Sequence, residues 1–486
     1  LYADAEGFRV GETGEAIAIE APAGVDEFPM RVWLDTSAEL TVLEPDVQRL
    51  VISRSRERSD DVVFTVEVSD QAVVGTPASV TALFVYAGRP CGLVRRELAI
   101  GERPPETAAE PAPASVSAPA SVMRVEATAG PPDLTVEVRD PNNDGMRFTC
   151  RVTTRLLPGG EDSSPESWNF NSSTAAVVTG YMTQFTRPNV LNAQRRAALI
   201  SAGKEFFNAA PPNFKRIFWA LIDAGTPPKS IYIVSQEPHV PWELMVPSRR
   251  RPDNSVEQRP ALGVEFAVGR WVTDLNLSPL QQVPVQNAWV VAPTYSGSKV
   301  LAKSADEARF LADLLGARAW SPAEFAGLVT LFGRSPNLIH FICHGHAEAA
   351  GQAVQTIDLD PPEVLGSLDV GGMDDTGAFA HAQPMVFLNA CEVGRPAPAL
   401  VGTQGFAKAF ISLGARCVVA PLWSVRDTIA HEVAKMFYEQ VRNHPERPLA
   451  DILREIRQRS YDASDGEDTW AAYCFYGDPR ATAVLA

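Results

Sequence analysis

The sequence predicts an α/β fold: a doubly wound, mostly parallel sheet with flanking helices, preceded by an all-β N-terminal module. Three observations carry this. Two runs, Asn337–Cys343 and Met385–Ala390, have strand length and are apolar at nearly every position, as strands buried on both faces of a parallel sheet are. From Asn287 onward, strand-like and helix-like stretches alternate, which is the grammar of a doubly wound domain. The first hundred residues instead hold short β-branched segments, several with period-two alternation, separated by polar, Gly or Pro turns.

Taken in order, residues 1–101 read as a small β-sandwich, with strands near Arg31–Asp35, Leu50–Arg54, Asp61–Val68 and Ser79–Tyr86. No catalytic cluster falls there, so a recognition or docking module for a protein partner is expected. Residues 102–122 are Pro- and Ala-rich with few large apolar side chains, and read as a linker. Residues 123–286 form a mixed β/α region. In it Leu134–Val138 and Arg147–Leu156 pair across Asn142–Gly145, Val190–Asn208 and Asn213–Asp223 are amphipathic helices, and Lys229–Ser235 is a strand. The polar stretch Ser248–Gln258, with Arg249–Arg251, reads as a solvated loop, the alternative being a clipping site for a trypsin-like activity.

The core, residues 287–486, opens with the strand Asn287–Ala292 and the helices Ala305–Leu315 and Ala323–Phe332. The two apolar strands follow, joined by a long crossover, Ala347–Pro384, whose length marks it as a lid or activation segment. Gly405–Leu413 is a helix, Ala415–Leu422 a strand, and Asp427–Arg442 and Pro448–Ser460 are helices.

At 486 residues, two or three domains are expected. The net charge of −16, from 43 basic and 59 acidic side chains, argues against nucleic acid as the main partner. No run is a membrane span; the most apolar, Ala409–Val425, is broken by Arg416. The chain opens on Leu1, so the native start and any targeting signal are expected upstream. Six scattered cysteines without a CxxC fit a reducing, cytoplasmic compartment. Cys343, Cys417 and Cys474 sit in apolar runs and read as packing.

The first apolar run stops at His344 and the second at Cys391. Ligands of open parallel sheets bind beyond the carboxyl ends of the strands, where both residues fall. A lone strand-end His or Cys is usually incidental; the pair is informative. An imidazole that takes the thiol proton makes a nucleophile, and can return it to a leaving amine. The amides of Gly345 and Cys391 are the expected oxyanion donors. A metal site at His340, His344 and His346, whose even spacing puts them on one face, lacks a fourth ligand. Neither metal nor cofactor is expected.

These residues also resemble the CHAT domains, caspase-like cysteine peptidases of the caspase–separase–gingipain clan. The resemblance covers roughly Tyr232 to Asp478. It rests on His340–Gly345, Leu388–Glu392, Val240–Leu244, Gly405–Phe410, Gly414–Arg416, Leu422–Val425 and Gly477–Pro479, in the family's order. It implies a caspase-like core at 287–486 in which His344 is base and Cys391 nucleophile, and cleavage of protein substrates without metal. It also implies control by an activating or inhibitory partner, and a place in bacterial defence or programmed cell death. For the substrate pocket it directs attention to Trp423 as an apolar wall and to Asp427 and Asp358 as partners for a basic side chain, Asp427 doubling as a first-turn helix carboxylate. Asp360, Asp369, Asp374 and Asp375 are further candidates or solvated loop residues. The alternative is a catalytically silent caspase-like scaffold acting as an adaptor.

Overall fold

The computed structural model describes residues 17–20, 26–37, 39–43, 46–53, 55–56, 59, 61–70, 72–101, 121–124, 129–141, 144–158, 161–185, 191–272, 278–346, 355–374, 376–390, 405–423, 425–463 and 469–485. Most of the linker expected at 102–122 lies outside them, and so does Cys391. Two compact units result: one of Leu1–Pro131, Asp140–Arg147 and Thr273–Ser278, the other of Pro132–Arg139, Phe148–Val272 and Pro279–Ala486.

In the first unit the described strands build an antiparallel four-stranded sheet, in the order Val47–Ser53, Glu27–Thr36, Pro77–Tyr86, Arg89–Ala99. Period two decides its faces. Phe28, Met30 and Val32 pack with Leu50, Ala82 and Phe84 on one side, whereas Trp33 packs with Leu83 and Val85 on the other. A separate antiparallel pair joins Leu40–Val42 to Val66–Val68.

The second unit is organised on one twelve-stranded mixed sheet. Along one half, Leu134–Arg139, Ser230–Ser235, Ala267–Val272 and Tyr473–Tyr476 run parallel to one another. Along the other, Cys417–Pro421, Met385–Ala390, Leu338–Cys343, Ala288–Val291 and Arg318–Trp320 do the same. The halves meet where Tyr473–Tyr476 pairs antiparallel with Cys417–Pro421. Beyond Leu134–Arg139 the sheet continues antiparallel, into Arg147–Thr154 and then Glu161–Asp162, with Glu166–Asn169 also paired to Arg147–Thr154. Apart from that edge the sheet is two parallel halves of opposite sense, and strands before residue 287 belong to it as fully as those after. The apolar runs explain its centre: every residue of Leu338–Cys343, Ser230–Ser235 and Cys417–Pro421 is buried, as strands covered on both faces must be.

Helices flank it: Asn192–Asn208, Pro212–Asp223, Ser304–Leu315, Phe325–Phe332, Phe406–Leu413, Asp427–Asn443 and Leu449–Asp462. Each lies within a few residues of its expected span. No described helix is long and apolar enough to cross a membrane. The Val240–Leu244 motif is an anchor in this unit. Trp242, fully buried, meets Trp168 and Phe214 at ring separations of 5.7 and 5.3 Å. Glu243 receives the Arg270 guanidinium, whose Nε donates to it at 2.8 Å, and Arg270 also donates to the Val240 carbonyl at 2.9 Å.

The polar segment at 248–258 is a hairpin, Ser248–Arg250 against Val256–Gln258. In it Arg249 pairs with Asp223 and Glu257, and Arg251 with Glu257.

Candidate active site

The strands Leu338–Cys343 and Met385–Ala390 are parallel neighbours, in register from Leu338 opposite Met385 to Cys343 opposite Ala390. His344 is the first residue beyond the end of its strand and is 3% exposed. Cys391, next after Ala390 in sequence, is outside the described residues.

Four contacts fix His344. Its Nε2 donates to the Lys299 carbonyl at 2.7 Å, its ring packs on that of Tyr295 at 4.7 Å, and its N–H donates to the Tyr295 hydroxyl at 3.3 Å. Its carbonyl accepts the Asp358 N–H at 3.0 Å. A carbonyl can only accept, so Nε2 carries a proton, and in the neutral ring Nδ1 keeps the lone pair. Tyr295 donates its hydroxyl to the Asp358 carbonyl at 2.7 Å, and burial pushes that phenol well above the usual range.

Directly after His344, Gly345–His346 begins a small antiparallel sheet with Thr356–Asp358 and Val364–Gly366. The bond from the Asp358 N–H to the His344 carbonyl makes Gly345 and Ile357 a non-hydrogen-bonded pair, so the Gly345 N–H points away from this ladder. His346 Nε2 donates to Asp358 Oδ1 at 2.8 Å, and Lys299 Nζ to Oδ2 at 2.9 Å. Burial works to raise the Asp358 carboxyl, but these two partners outweigh it and hold it down at about 2.

His340, 1% exposed, points elsewhere. Its Nε2 is 2.6 Å from Glu307 Oε1 and its Nδ1 is 3.0 Å from the Tyr438 hydroxyl. Ring hydrogen bonds thus take the three imidazoles to different groups: Glu307 and the Tyr438 hydroxyl for His340, the Lys299 carbonyl for His344 and the Asp358 carboxylate for His346. Glu307 also accepts from Asn389 Nδ2 at 2.7 Å and stands 3.5 Å from His431 Nδ1. Asn389, two residues before Cys391, further donates to the Ala430 carbonyl at 3.1 Å and accepts the Tyr473 hydroxyl at 2.7 Å. The end of the second strand is therefore bolted to the sheet and to the helix Asp427–Asn443. Burial would raise Glu307; hydrogen bonds from His340, His431 and Asn389 bring it to about 2 instead, and its carboxylate pushes His431 above its ordinary value.

Trp423 is 4% exposed. Asp427 is the first residue of its helix, and its Oδ2 accepts the Lys303 N–H at 2.8 Å. Asp360 accepts the Thr294 and Ala323 N–H groups at 2.6 and 2.7 Å, and Asp369 the Gly366 N–H at 2.7 Å. Asp374 accepts the Ala380 N–H at 3.0 Å, and Asp375 lies outside the described residues. Lys299, Tyr295, Glu307 and Asn389 had no functional reading in the sequence. The Lys299 contribution is a backbone oxygen and leaves no side-chain signal. Asn389 had one signal, a polar residue inside an apolar strand directly before the Ala390–Cys391 pair.

Among solved structures the chain is similar to the Arg-specific cysteine proteinase gingipain R, at 12% identity and TM-score 0.35 over 63% of this chain and 75% of that one. It is similar to the RgpB pro- and mature-domain complex of Porphyromonas gingivalis, at 10% identity and TM-score 0.34 over 63% of this chain and 77% of that one. It is also similar to separase in the Saccharomyces cerevisiae separase–securin complex, at 10% identity and TM-score 0.36 over 71% of this chain and 30% of that one. No curated protein matches by sequence. The family model of the CHAT domain matches residues 232–478, slightly more than half of the sequence. The chain belongs to the CHAT domain family.

Proposed function

We propose that this protein is a cysteine endopeptidase in which Cys391 is the nucleophile and His344 its base. One observation carries the reading: Cys343 and Ala390 are partners in register, and His344 and Cys391 are the residues that follow them. In the reaction, Nδ1 of His344 takes the Cys391 thiol proton and the thiolate attacks the scissile carbonyl carbon. The N–H groups of Gly345 and Cys391 receive the oxyanion. The imidazolium returns its proton to the leaving amine as the C–N bond breaks, and water then hydrolyses the thioester, restoring the thiol.

The other thiols support Cys391 by contrast. Cys91, Cys150, Cys343, Cys417 and Cys474 are all buried, and burial pushes each of them up, Cys91 to about 12. A thiol so raised stays protonated near neutral pH and is a poor nucleophile. The substrate in this reading is a protein, and the N-terminal β unit takes a regulating partner, in bacterial defence or programmed cell death. Trp423 and Asp427 are the proposed lining for the residue before the scissile bond.

The test is mapping of new protein termini after incubation of a cell lysate with wild type or with Cys391→Ala. New termini made only by wild type are expected. Identical termini from both would end the assignment. Absence of cleavage, together with failure of a thiol-reactive peptidyl probe to label Cys391, would favour the silent adaptor.

A further inference from the structure

Asp358 was expected in the substrate pocket as a partner for a basic side chain. Its carboxylate is instead occupied on both oxygens, by His346 Nε2 at 2.8 Å and Lys299 Nζ at 2.9 Å, and the residue is 7% exposed. Three of its connections lead back to His344. The side chain holds Lys299, whose carbonyl accepts from His344 Nε2 at 2.7 Å. The Asp358 carbonyl accepts the hydroxyl of Tyr295, whose ring lies against the imidazole at 4.7 Å. The Asp358 N–H donates to the His344 carbonyl at 3.0 Å. The Lys299 side chain is 62% exposed, so without a tether its long stem would keep its rotamer freedom.

We propose that Asp358 is a positioning residue for His344, clamping the segment that carries the Lys299 carbonyl so that this oxygen selects the imidazole tautomer. The proposal rests on the reading of His344 as the base of Cys391. Asp358 touches neither substrate nor reacting atoms. It acts through Lys299, by charge and by a hydrogen bond to an ammonium, which is stronger than one between neutral groups. Orientation of a base is worth this much structure, because displacement by about 1 Å can cost on the order of 100-fold in rate.

Two measurements on the full chain test it, neither needing an identified substrate. The first is the rate at which iodoacetamide alkylates Cys391 near neutral pH, the site being located by peptide mass spectrometry. The second is the tautomer of His344, read from its imidazole nitrogen shifts by NMR. Asp358→Asn is nearly isosteric and keeps the fold, which circular dichroism checks. It is expected to slow alkylation by about tenfold, by loosening the base, and to turn one His344 tautomer into a mixture. Lys299→Met keeps the carbonyl and removes the ammonium, so it should act in the same direction. The double variant should be no slower than Asp358→Asn alone, because both changes cut one path. An unchanged tautomer in Asp358→Asn, or additive slowing in the double variant, would overturn the proposal. The underlying dyad is judged separately by His344→Gln. If that change leaves alkylation of Cys391 at the wild-type rate, the dyad reading fails, while the tautomer shift still decides the role of Asp358.

Discussion

The Nε2 of His344 lies 2.7 Å from the carbonyl oxygen of Lys299. A peptide oxygen here does what a carboxylate does in a side-chain triad: it fixes which ring nitrogen bears the proton. It brings no charge, so an imidazolium formed in the proposed reaction would gain less stabilisation than a buried carboxylate would give. The proposed base is therefore directed mainly by geometry. With His344 as the proposed base of Cys391, His344→Gln should leave Cys391 an ordinary thiol, which is only a few per cent thiolate near neutral pH. Alkylation of Cys391 should then fall about tenfold or more, measured by mass spectrometry of the labelled peptide over time.

A second prediction concerns pH and the cluster beneath the strand ends. Glu307, 1% exposed, is held at about 2 against an ordinary carboxyl value near 4.5. A carboxyl lowered by folding contributes stability that is present above its unfolded value and lost as pH falls through the folded one. His431, raised by the same carboxylate, works in the opposite sense: its contribution is present below its ordinary value of 6.5 and lost as pH rises past the raised one. The pair should therefore stabilise most between about pH 4.5 and 6.5. Urea unfolding across pH 2–8 checks this. Glu307→Gln should flatten both limbs, and an unchanged profile would exclude Glu307 as the titrating group.

A third prediction tests the Val240–Leu244 motif. Its acidic residue, Glu243, sits with Arg270 and Arg457 in full burial. Glu243→Gln leaves two buried guanidinium groups facing a neutral amide, and losses on breaking a buried pair run to about 3–5 kcal/mol. Glu243→Gln should therefore lower the urea midpoint strongly. Glu243→Gln combined with Arg270→Met should recover part of the loss, since the guanidinium that bonds Glu243 directly is then gone and only Arg457 stays buried without the carboxylate. Equal destabilisation by the single and double variants would show that the pair acts through packing alone.

How far these features could be read beforehand depended on whether they leave a pattern. Leu338–Cys343 and Met385–Ala390 were legible because burial on both faces demands a nearly continuous apolar run, interrupted here only by His340 and Asn389. The helix Asp427–Asn443 was legible from its periodicity. By contrast, Ala267–Val272 carries Gly269 and Arg270 in its middle and reads poorly as a strand. Gly269 is required there because a Cβ would come within 2.6 Å of the Gly477 carbonyl oxygen, and Arg270 is tolerated because Glu243 faces it. Both reasons are tertiary. The same holds for Tyr473–Tyr476, whose antiparallel pairing joins the two halves of the sheet. Loop acids were ambiguous for another reason. Asp358, Asp360 and Asp369 look alike in sequence, and only their partners separate a clamp on Lys299 from hydrogen bonds to backbone N–H groups, distant for Asp360 and local for Asp369.

Gly405 offers a last prediction, at the start of the helix Phe406–Leu413. Its place is set by Gln355, the first described residue after the Gly345–His346 strand. The Gln355 side-chain carbonyl accepts the Phe406 N–H at 3.2 Å, capping the helix, and its backbone carbonyl accepts the Ser367 N–H at 2.8 Å. A Cβ on Gly405 would fall 1.8 Å from Gln355 Oε1 and 2.4 Å from its Cδ, far inside van der Waals contact. The amide would have to swing away, and the cap would go with it, a loss of about 1 kcal/mol. Gly405→Ala should therefore destabilise the protein, and Gln355→Ala should do so less, by the cap alone. In the Gln355→Ala background the three atoms nearest the added methyl are gone, so Gly405→Ala should then cost far less than it does alone. Urea unfolding of the four proteins gives the coupling directly. Strict additivity would mean that the side chain of Gln355 is not what keeps position 405 bare.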